Sequence, residues 1–419
     1  MDMSMNEFQR LRLEYPEWSK LKEYLVSEAN LRIIESEDNP GLAIIKYVKG
    51  ETKMDSEKIN VSFFRSVIVD VNTNTVVSYA TPKSEKGLPP LNTKFPQIES
   101  FIDGFMIQAF ITSNDTSRLQ LATRTSIGGK NDFYSKKSFQ LLFEEALSST
   151  PIGTIESLKD IMTKELTARN AKSVFASFVV QHPEHRIVIK HDKADANMVH
   201  FGWSLDDGSI VVQENSNEWT DALKGLKIPE LSGISSKIDT FINHDQLIMF
   251  INYTEMSYGM YWQGIVFKDG TGRRWKYRSN RYINIRDLRG AEAKPIDRFL
   301  RLRKDRKVSK YIKYYTEESE VFSEYENTLR ERTVDLLNAY TCVNKIHNVK
   351  FADIDVGYKP GVYTLHNLYM KELRPNKRGS INFAHTISVV NSMKPFEQSR
   401  LIRAPKFVPP PATTVASTG

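Results

Sequence analysis

Cysteine is almost missing from this chain. Its 419 residues contain one, Cys342, which excludes an internal disulfide and any zinc site built from several cysteines. Long hydrophobic runs are missing as well: the longest, such as Leu247-Ile-Met-Phe-Ile251, is far too short to cross a bilayer, and no membrane span is expected. The polar start Met1-Asp-Met-Ser-Met-Asn6 lacks the charged-then-apolar order of a secretory signal, so a cytoplasmic or nuclear setting is expected. What is there suits a folded chain. With 40% hydrophobic and 26% charged residues, two or three domains can each bury a core. The formal net charge of +7 and the pI near 9.1 favour polyanionic partners, but a surplus this small on so long a chain does not require one.

The pattern along the chain predicts an α+β domain followed by a helical one. Short β-branched and aromatic runs at 63–70, 75–80 and 105–111 read as antiparallel strands and hairpins. Apolar residues three and four apart predict helices over 138–147 and 155–162, and strands resume at 174–180, 186–189 and 264–267. That order gives α+β with antiparallel sheets over residues 1–290. Residues 296–346 contain no Pro or Gly, and Val321, Tyr325, Leu329, Val334 and Leu337 carry helical spacing, so 291–349 is expected as a helical C-terminal domain. Residues 350–405 return to Gly and Pro punctuation, including the apolar run Phe383–Val390, and read as an appended extension. The end, 406–419, is a Pro-rich flexible tail. Residues 350–419 are the expected surface for protein partners.

Eight segments occur in an order that resembles a known family: Phe63-Phe-Arg-Ser-Val-Ile-Val69, Ala80-Thr-Pro-Lys-Ser-Glu-Lys86, Ile102-Asp-Gly104, Arg124-Thr-Ser-Ile127, Phe178-Val-Val-Gln-His-Pro183, Arg186-Ile-Val188, Gln263-Gly-Ile-Val266 and Trp275-Lys-Tyr-Arg-Ser279. The family is that of phage-type RNA ligases of the RNA ligase 1 group. The likeness spans roughly residues 30 to 345, and its helical part includes Lys313–Glu326. It implies a nucleotidyltransferase domain of the ATP-grasp-like ligase type, with antiparallel sheets and helices, then a helical domain. Phages and large DNA viruses carry this group, so a viral source, and even a virion component, is implied.

Set against the family pattern, the site is degenerate. The covalent nucleophile of these enzymes is a lysine that attacks the α-phosphate of ATP; here Phe101 stands in its place and has no lone pair to offer. Val179 replaces a carboxylate near the ribose, and Gln263 replaces one that assists with metal, so no catalytic residue and no metal are expected. Arg65, Lys86, Asp103, Arg124, Lys276 and Arg278 remain at positions the resemblance assigns to nucleotide or phosphate, although Asp103-Gly104 is equally explained as a strand-end turn. The expected function is a catalytically inactive RNA-ligase-like protein that binds nucleic acid or nucleotide phosphates through a cationic cleft. Two alternatives stand beside it: a structural or virion-associated scaffold that keeps the fold for its shape, and an active RNA ligase with a displaced nucleophile such as Lys94 or Lys86. No cofactor is expected, with ATP and Mg²⁺ needed only in the last case.

Three further features stand apart. The run Arg298–Lys313 predicts a basic helix face on which Arg301, Lys304 and Lys307, with Tyr311, Tyr314 and Tyr315 nearby, could contact nucleic acid or merely water. His182, His185 and His191 are expected as surface residues of a hairpin turn. Gly128-Gly129-Lys130 lacks the rest of a phosphate loop and reads as a turn.

Overall fold

The computed structural model describes residues 6–54, 58–90, 97–213, 219–226, 244–269 and 273–411. The chain divides into two compact units, Met1–Arg286 and Asp287–Gly419. The first is mixed α+β. Helices α1 (Glu7–Glu14) and α2 (Trp18–Ser27) lead into β1 (Arg32–Glu35), β2 (Leu42–Lys46), β3 (Val67–Asp70) and β4 (Thr75–Tyr79), which form an antiparallel sheet in that order. The run predicted as a strand from Phe63 is divided. Val61–Phe63 makes a 3-10 turn and the ladder begins only at Val67, which leaves Arg65 on the connecting loop.

The short strands β5 (Glu85–Lys86) and β6 (Gln97–Ser100) precede a hairpin of β7 (Phe105–Thr112) and β8 (Asp115–Ala122). Then come α3 (Phe139–Ser148), α4 (Ile155–Ala168), β9 (Ser173–Gln181), β10 (Asp195–Ser204), β11 (Ile210–Gln213) and the short α5 (Asp221–Lys224). After α6 (His244–Tyr258), β12 (Gly264–Lys268) and β13 (Arg274–Arg278) close the unit, and α7 (Asn280–Arg289) runs across the boundary. The second sheet has the order β11-β10-β9-β7-β8 and the third β5-β13-β12-β6; the β5–β13 pairing is parallel and the other pairings are antiparallel.

Alternation along β9 explains how the first two sheets stack. Val174, Ala176, Phe178 and Val180 point to the side covered by α3 and α4, while Phe175 points into the core shared with the first sheet. The helices are fixed at their starts. Ser138 accepts from the Leu141 N–H at 3.3 Å and Thr154 from the Ser157 N–H at 3.1 Å, each satisfying an otherwise orphaned donor. Gln108 of β7 reaches across the sheets, accepting from Ser78 Oγ and donating to Ser66 Oγ, both at 2.9 Å, so this buried amide is paired.

Residues 186–189, predicted as a strand, form no ladder. The N–H groups of Val188 and Ile189 donate instead to one oxygen of Asp103, at 3.0 and 2.7 Å, and this long-range pairing holds the apolar run in a loop.

The second unit is largely helical: α8 (Pro295–Lys304), α9 (Val308–Ile312), α10 (Ser319–Thr341), α11 (Lys359–Leu368), α12 (Phe383–Ser392) and α13 (Pro395–Arg403), with π-helical turns at Cys342–Ile346 and Tyr369–Leu373. The long helix is where the spacing predicts it, but its buried stripe is shifted. Phe322, Leu329, Leu336, Ala339 and Tyr340 face inward while Val334 is exposed. The shift accommodates Asp335, a buried carboxylate that binds Arg332 at 2.9 Å and the Tyr358 hydroxyl at 3.3 Å.

Residues 350–405, read from sequence as an extension, supply three helices that pack on α10. The prolines that suggested loop punctuation, Pro360 and Pro395, sit in the first turns of α11 and α13, where a missing N–H costs nothing. The start of the expected tail is also held: the Phe407 N–H donates to Asp335 at 3.3 Å, and Tyr358 donates to the Pro405 carbonyl at 2.8 Å. Residues 412–419 lie outside the described residues.

Candidate functional site

The third sheet assembles most of the expected cations by simple strand geometry. Trp275 of β13 packs with Leu247 and Ile251 of α6, and Tyr277 packs against the same core, so the alternate residues Arg274, Lys276 and Arg278 belong to the opposite face. Register then aligns rows across the strands. Lys86 lies beside Lys276, Lys276 beside Val266, and Val266 beside Glu99. One row further, Arg278 lies opposite Gly264, and the Phe101 N–H donates to the Gly264 carbonyl at 3.0 Å. Gly264 has φ 143°, and a Cβ there would come within 2.0 Å of the Tyr277 carbonyl oxygen, so only glycine fits. With no side chain between them, the Arg278 guanidinium sits 4.7 Å over the Phe101 ring. Phe101 is half-buried on the same face as the cations.

Electrostatics show how closely these groups crowd. Burial, reinforced by Arg65, Arg278, Lys83 and Lys86, pushes the Lys276 ammonium down to about 8. Arg65 is driven down to about 10 by burial against the attraction of Tyr47, with Arg274 and Arg124 adding to the depression. It donates to Thr81 Oγ1 at 3.2 Å. Lys83 and Arg124 both lie over the Tyr47 ring, at 5.4 and 5.7 Å. Lys46, at the end of β2, is held below the usual lysine range by burial and then by Arg124 and Arg32. Among the described residues, Arg65, Lys83, Lys86, Arg124 and Lys276 form no ion pair.

The structure thus brings together Arg65, Lys86, Arg124, Lys276 and Arg278. Sequence reasoning missed Lys83, Tyr47, Lys46 and Arg274. Lys83 was inside a quoted segment, and Arg274 follows from alternation with Lys276, so a signal for both was present. Tyr47 and Lys46 come from β2, whose approach no local pattern announces. Also missed was a buried pair on this sheet: Lys268 Nζ binds Glu99 Oε1 at 2.7 Å, with both side chains almost fully enclosed. It matches a lysine with a carboxylate and so adds no net charge to the face.

Asp103 is elsewhere in role. It is 2% exposed, and besides the two N–H groups of the 188–189 loop it accepts from the Tyr282 hydroxyl at 2.8 Å. Burial and that carboxylate raise the Tyr282 phenol well above its ordinary range. Both oxygens of Asp103 are therefore engaged within the protein. Gly104 follows because a Cβ there would meet the Val180 carbonyl oxygen at 2.3 Å. Val179 is half-buried, Gln263 is buried, and Lys94 lies outside the described residues.

Of the histidines expected at the surface, His182 and His185 are buried and His191 is half-buried. His185 is buried against Phe105 at 4.8 Å, and His191 Nε2 lies 3.1 Å from the Asp103 carbonyl oxygen. Burial holds His191 below the usual range, against the pull of Asp103. Glu145, His182 and Glu184 bring ligand-type atoms within 4.8 Å of one another. His182 Nδ1, however, accepts from the Glu184 N–H at 3.1 Å, so a neutral ring carries its proton on Nε2 and gives it to Glu145 at 2.9 Å. That nitrogen has no lone pair for a cation. Lys137 already bridges the two carboxylates, at 2.9 and 2.6 Å, and holds Glu145 below the usual carboxylate range.

In the second unit the basic run divides. Arg301 turns inward, binding Glu292 at 2.5 Å and the carbonyls of Leu288 and Arg289 at the end of α7. Arg289 and Arg298 converge on Glu318 at 2.5 and 2.6 Å, and Tyr311 donates to the same carboxylate at 3.0 Å. Tyr311 and Tyr315 are buried and stacked at 4.4 Å, so they form core and not a contact surface. Lys304 and Lys307 are exposed, Lys307 with Asp305 at 3.6 Å.

No family model matches the chain, and a search of the curated proteins finds no match.

Proposed function

We propose that the chain is a catalytically inactive RNA-ligase-like protein that holds the phosphates of a nucleic acid or nucleotide on the cationic face of its first unit. The observation that carries this reading is the crowding around Lys276. Burial first, and then four neighbouring cations, bring its ammonium down to about 8, and a buried lysine in such company destabilises the free protein. A bound phosphate backbone relieves that repulsion and gains several charge-assisted hydrogen bonds. Phe101, seated against Arg278, supports the loss of covalent nucleotidyl transfer, because the face offers a ring where that chemistry needs an amine.

The test is binding of a labelled single-stranded RNA at rising salt. The double variant K276A/R278A is expected to weaken binding at least about tenfold and to lower the salt slope by about 1.4, two contacts at about 0.7 each. Unchanged affinity and slope would overturn the reading and favour a scaffold role. A second reading, an active ligase with a displaced nucleophile, draws support from the same lysine, since an amine near 8 is partly unprotonated in neutral solution. Incubation with labelled ATP and Mg²⁺ or Mn²⁺ separates the two. The first predicts no covalent AMP adduct; the second predicts one that K276A abolishes.

A further inference from the structure

The second unit carries a groove of ≈ 940 Å³ between the end of α8, the start of α9, one side of α10 and the α12–α13 connection. Its rim is basic: Arg303, Lys304, Arg306, Arg330 and Lys394 surround one carboxylate, Glu326. That carboxylate is engaged by Arg303 at 3.1 Å and Arg330 at 3.3 Å. Lys304, Arg306 and Lys394 are exposed and form no ion pair among the described residues. Between the cations stand small donors, the exposed Ser309, Ser323 and Asn327.

Arg306 adds a backbone argument. Its φ is 56°, in the left-handed region, at the position just past a helix end where glycine is the usual occupant. The end is closed by the Arg306 N–H on the Arg303 carbonyl at 3.1 Å and the Lys307 N–H on the Leu302 carbonyl at 2.8 Å. An arginine here keeps a guanidinium at the mouth of the groove at a conformational cost glycine would not carry.

The floor narrows the choice of ligand. Phe299 and Phe322 are buried and packed edge to face at 5.4 Å, so they offer no open platform on which bases could stack. Beside the apolar Val308, Ile312, Met393 and Pro395, the groove presents positive charge and hydroxyl or amide donors, in a volume that suits a small molecule.

We infer that this groove of the second unit is a binding site for a compact polyphosphate, that is, two or more phosphate groups joined closely together, supplied as inorganic polyphosphate or on a nucleoside. The inference is independent of the phosphate-holding role given to the first unit, and a localised readout keeps the two apart. Hydrogen–deuterium exchange of the full chain with inorganic tripolyphosphate should slow exchange across 303–310 and 391–398. The same protection should persist in K276A/R278A, where the first unit is disabled. The triple variant K304Q/R306G/K394Q should lose that protection and bind tripolyphosphate at least about tenfold more weakly in the K276A/R278A background. R306G alone keeps a residue suited to the left-handed turn, so an unchanged melting profile with weakened binding excludes misfolding as the cause. ATP as a second ligand identifies the source: equal affinity assigns recognition to the phosphates alone, and tighter binding adds a nucleoside contribution. The inference is overturned if saturating tripolyphosphate gives no protection in these segments, if the triple variant binds as the unaltered groove does, or if an RNA oligonucleotide protects them and tripolyphosphate does not.

Discussion

Arginine and lysine serve opposite ends in the helical core of the second unit and on the cationic face of the first. In the second, Arg289 and Arg298 both close on Glu318, and Arg301 closes on Glu292 and the end of α7, so positive charge is spent on holding helices together. On that face of the first, Arg65, Lys83 and Lys276 stand near one another with no carboxylate bound to them among the described residues, and burial, reinforced by the neighbouring cations, holds Lys276 well below the usual lysine range. A buried cation with a carboxylate has a structural explanation. A crowd of cations without one costs stability, and its natural explanation is a ligand that brings the negative charge.

The contrast can be broken most easily at Glu318. E318A leaves two buried arginines without their carboxylate, and urea unfolding of the second unit should lose about 3–5 kcal/mol; a loss below about 1 kcal/mol would make that network ornamental. D103A is next. Removing an acceptor that serves two backbone N–H groups and the Tyr282 hydroxyl should cost the first unit about 2–4 kcal/mol in the same measurement.

Lys276 should behave with the opposite sign. Because its folded value, about 8, lies below the ordinary 10.5, the unfolded chain holds more protons between those values, and its contribution to stability rises as pH climbs from about 8 to 10.5. K276M should remove that rise and leave stability at neutral pH unchanged or higher by up to about 1 kcal/mol, as read by thermal unfolding across that range. RNA affinity should fall as pH rises through about 8 in the unaltered chain, and K276R, which stays charged, should flatten the fall. The smallest change is expected for R306G, within about 0.5 kcal/mol in thermal unfolding.

Much of the fold was legible because burial imposes period. The alternation of Val174 to Val180 and the helical spacing of Leu142 to Leu147 both survive intact in β9 and α3. Three of the misreadings share a cause, a polar side chain reaching a distant backbone or partner. Asp103 claims the N–H groups of Val188 and Ile189 and dissolves an expected strand; Asp335 rotates the buried stripe of α10; Glu145 draws His182 out of solvent. None of these pairings leaves a trace in local periodicity.

At the cationic face, residues on β13 followed from strand parity. Tyr47 and Lys46 did not, since they depend on how two sheets meet. Residues 350–405 were set apart because prolines look like breaks in a sequence whether they end one helix or begin the next.

The solitary thiol has one more use. Cys342 is 3% exposed at the end of α10, and burial raises its thiol above the ordinary range, so an alkylating reagent reaches a reactive sulfur only when the surrounding helices part. With no second cysteine to confuse the signal, the labelling rate of the unaltered chain is a clock for the breathing of its C-terminal unit.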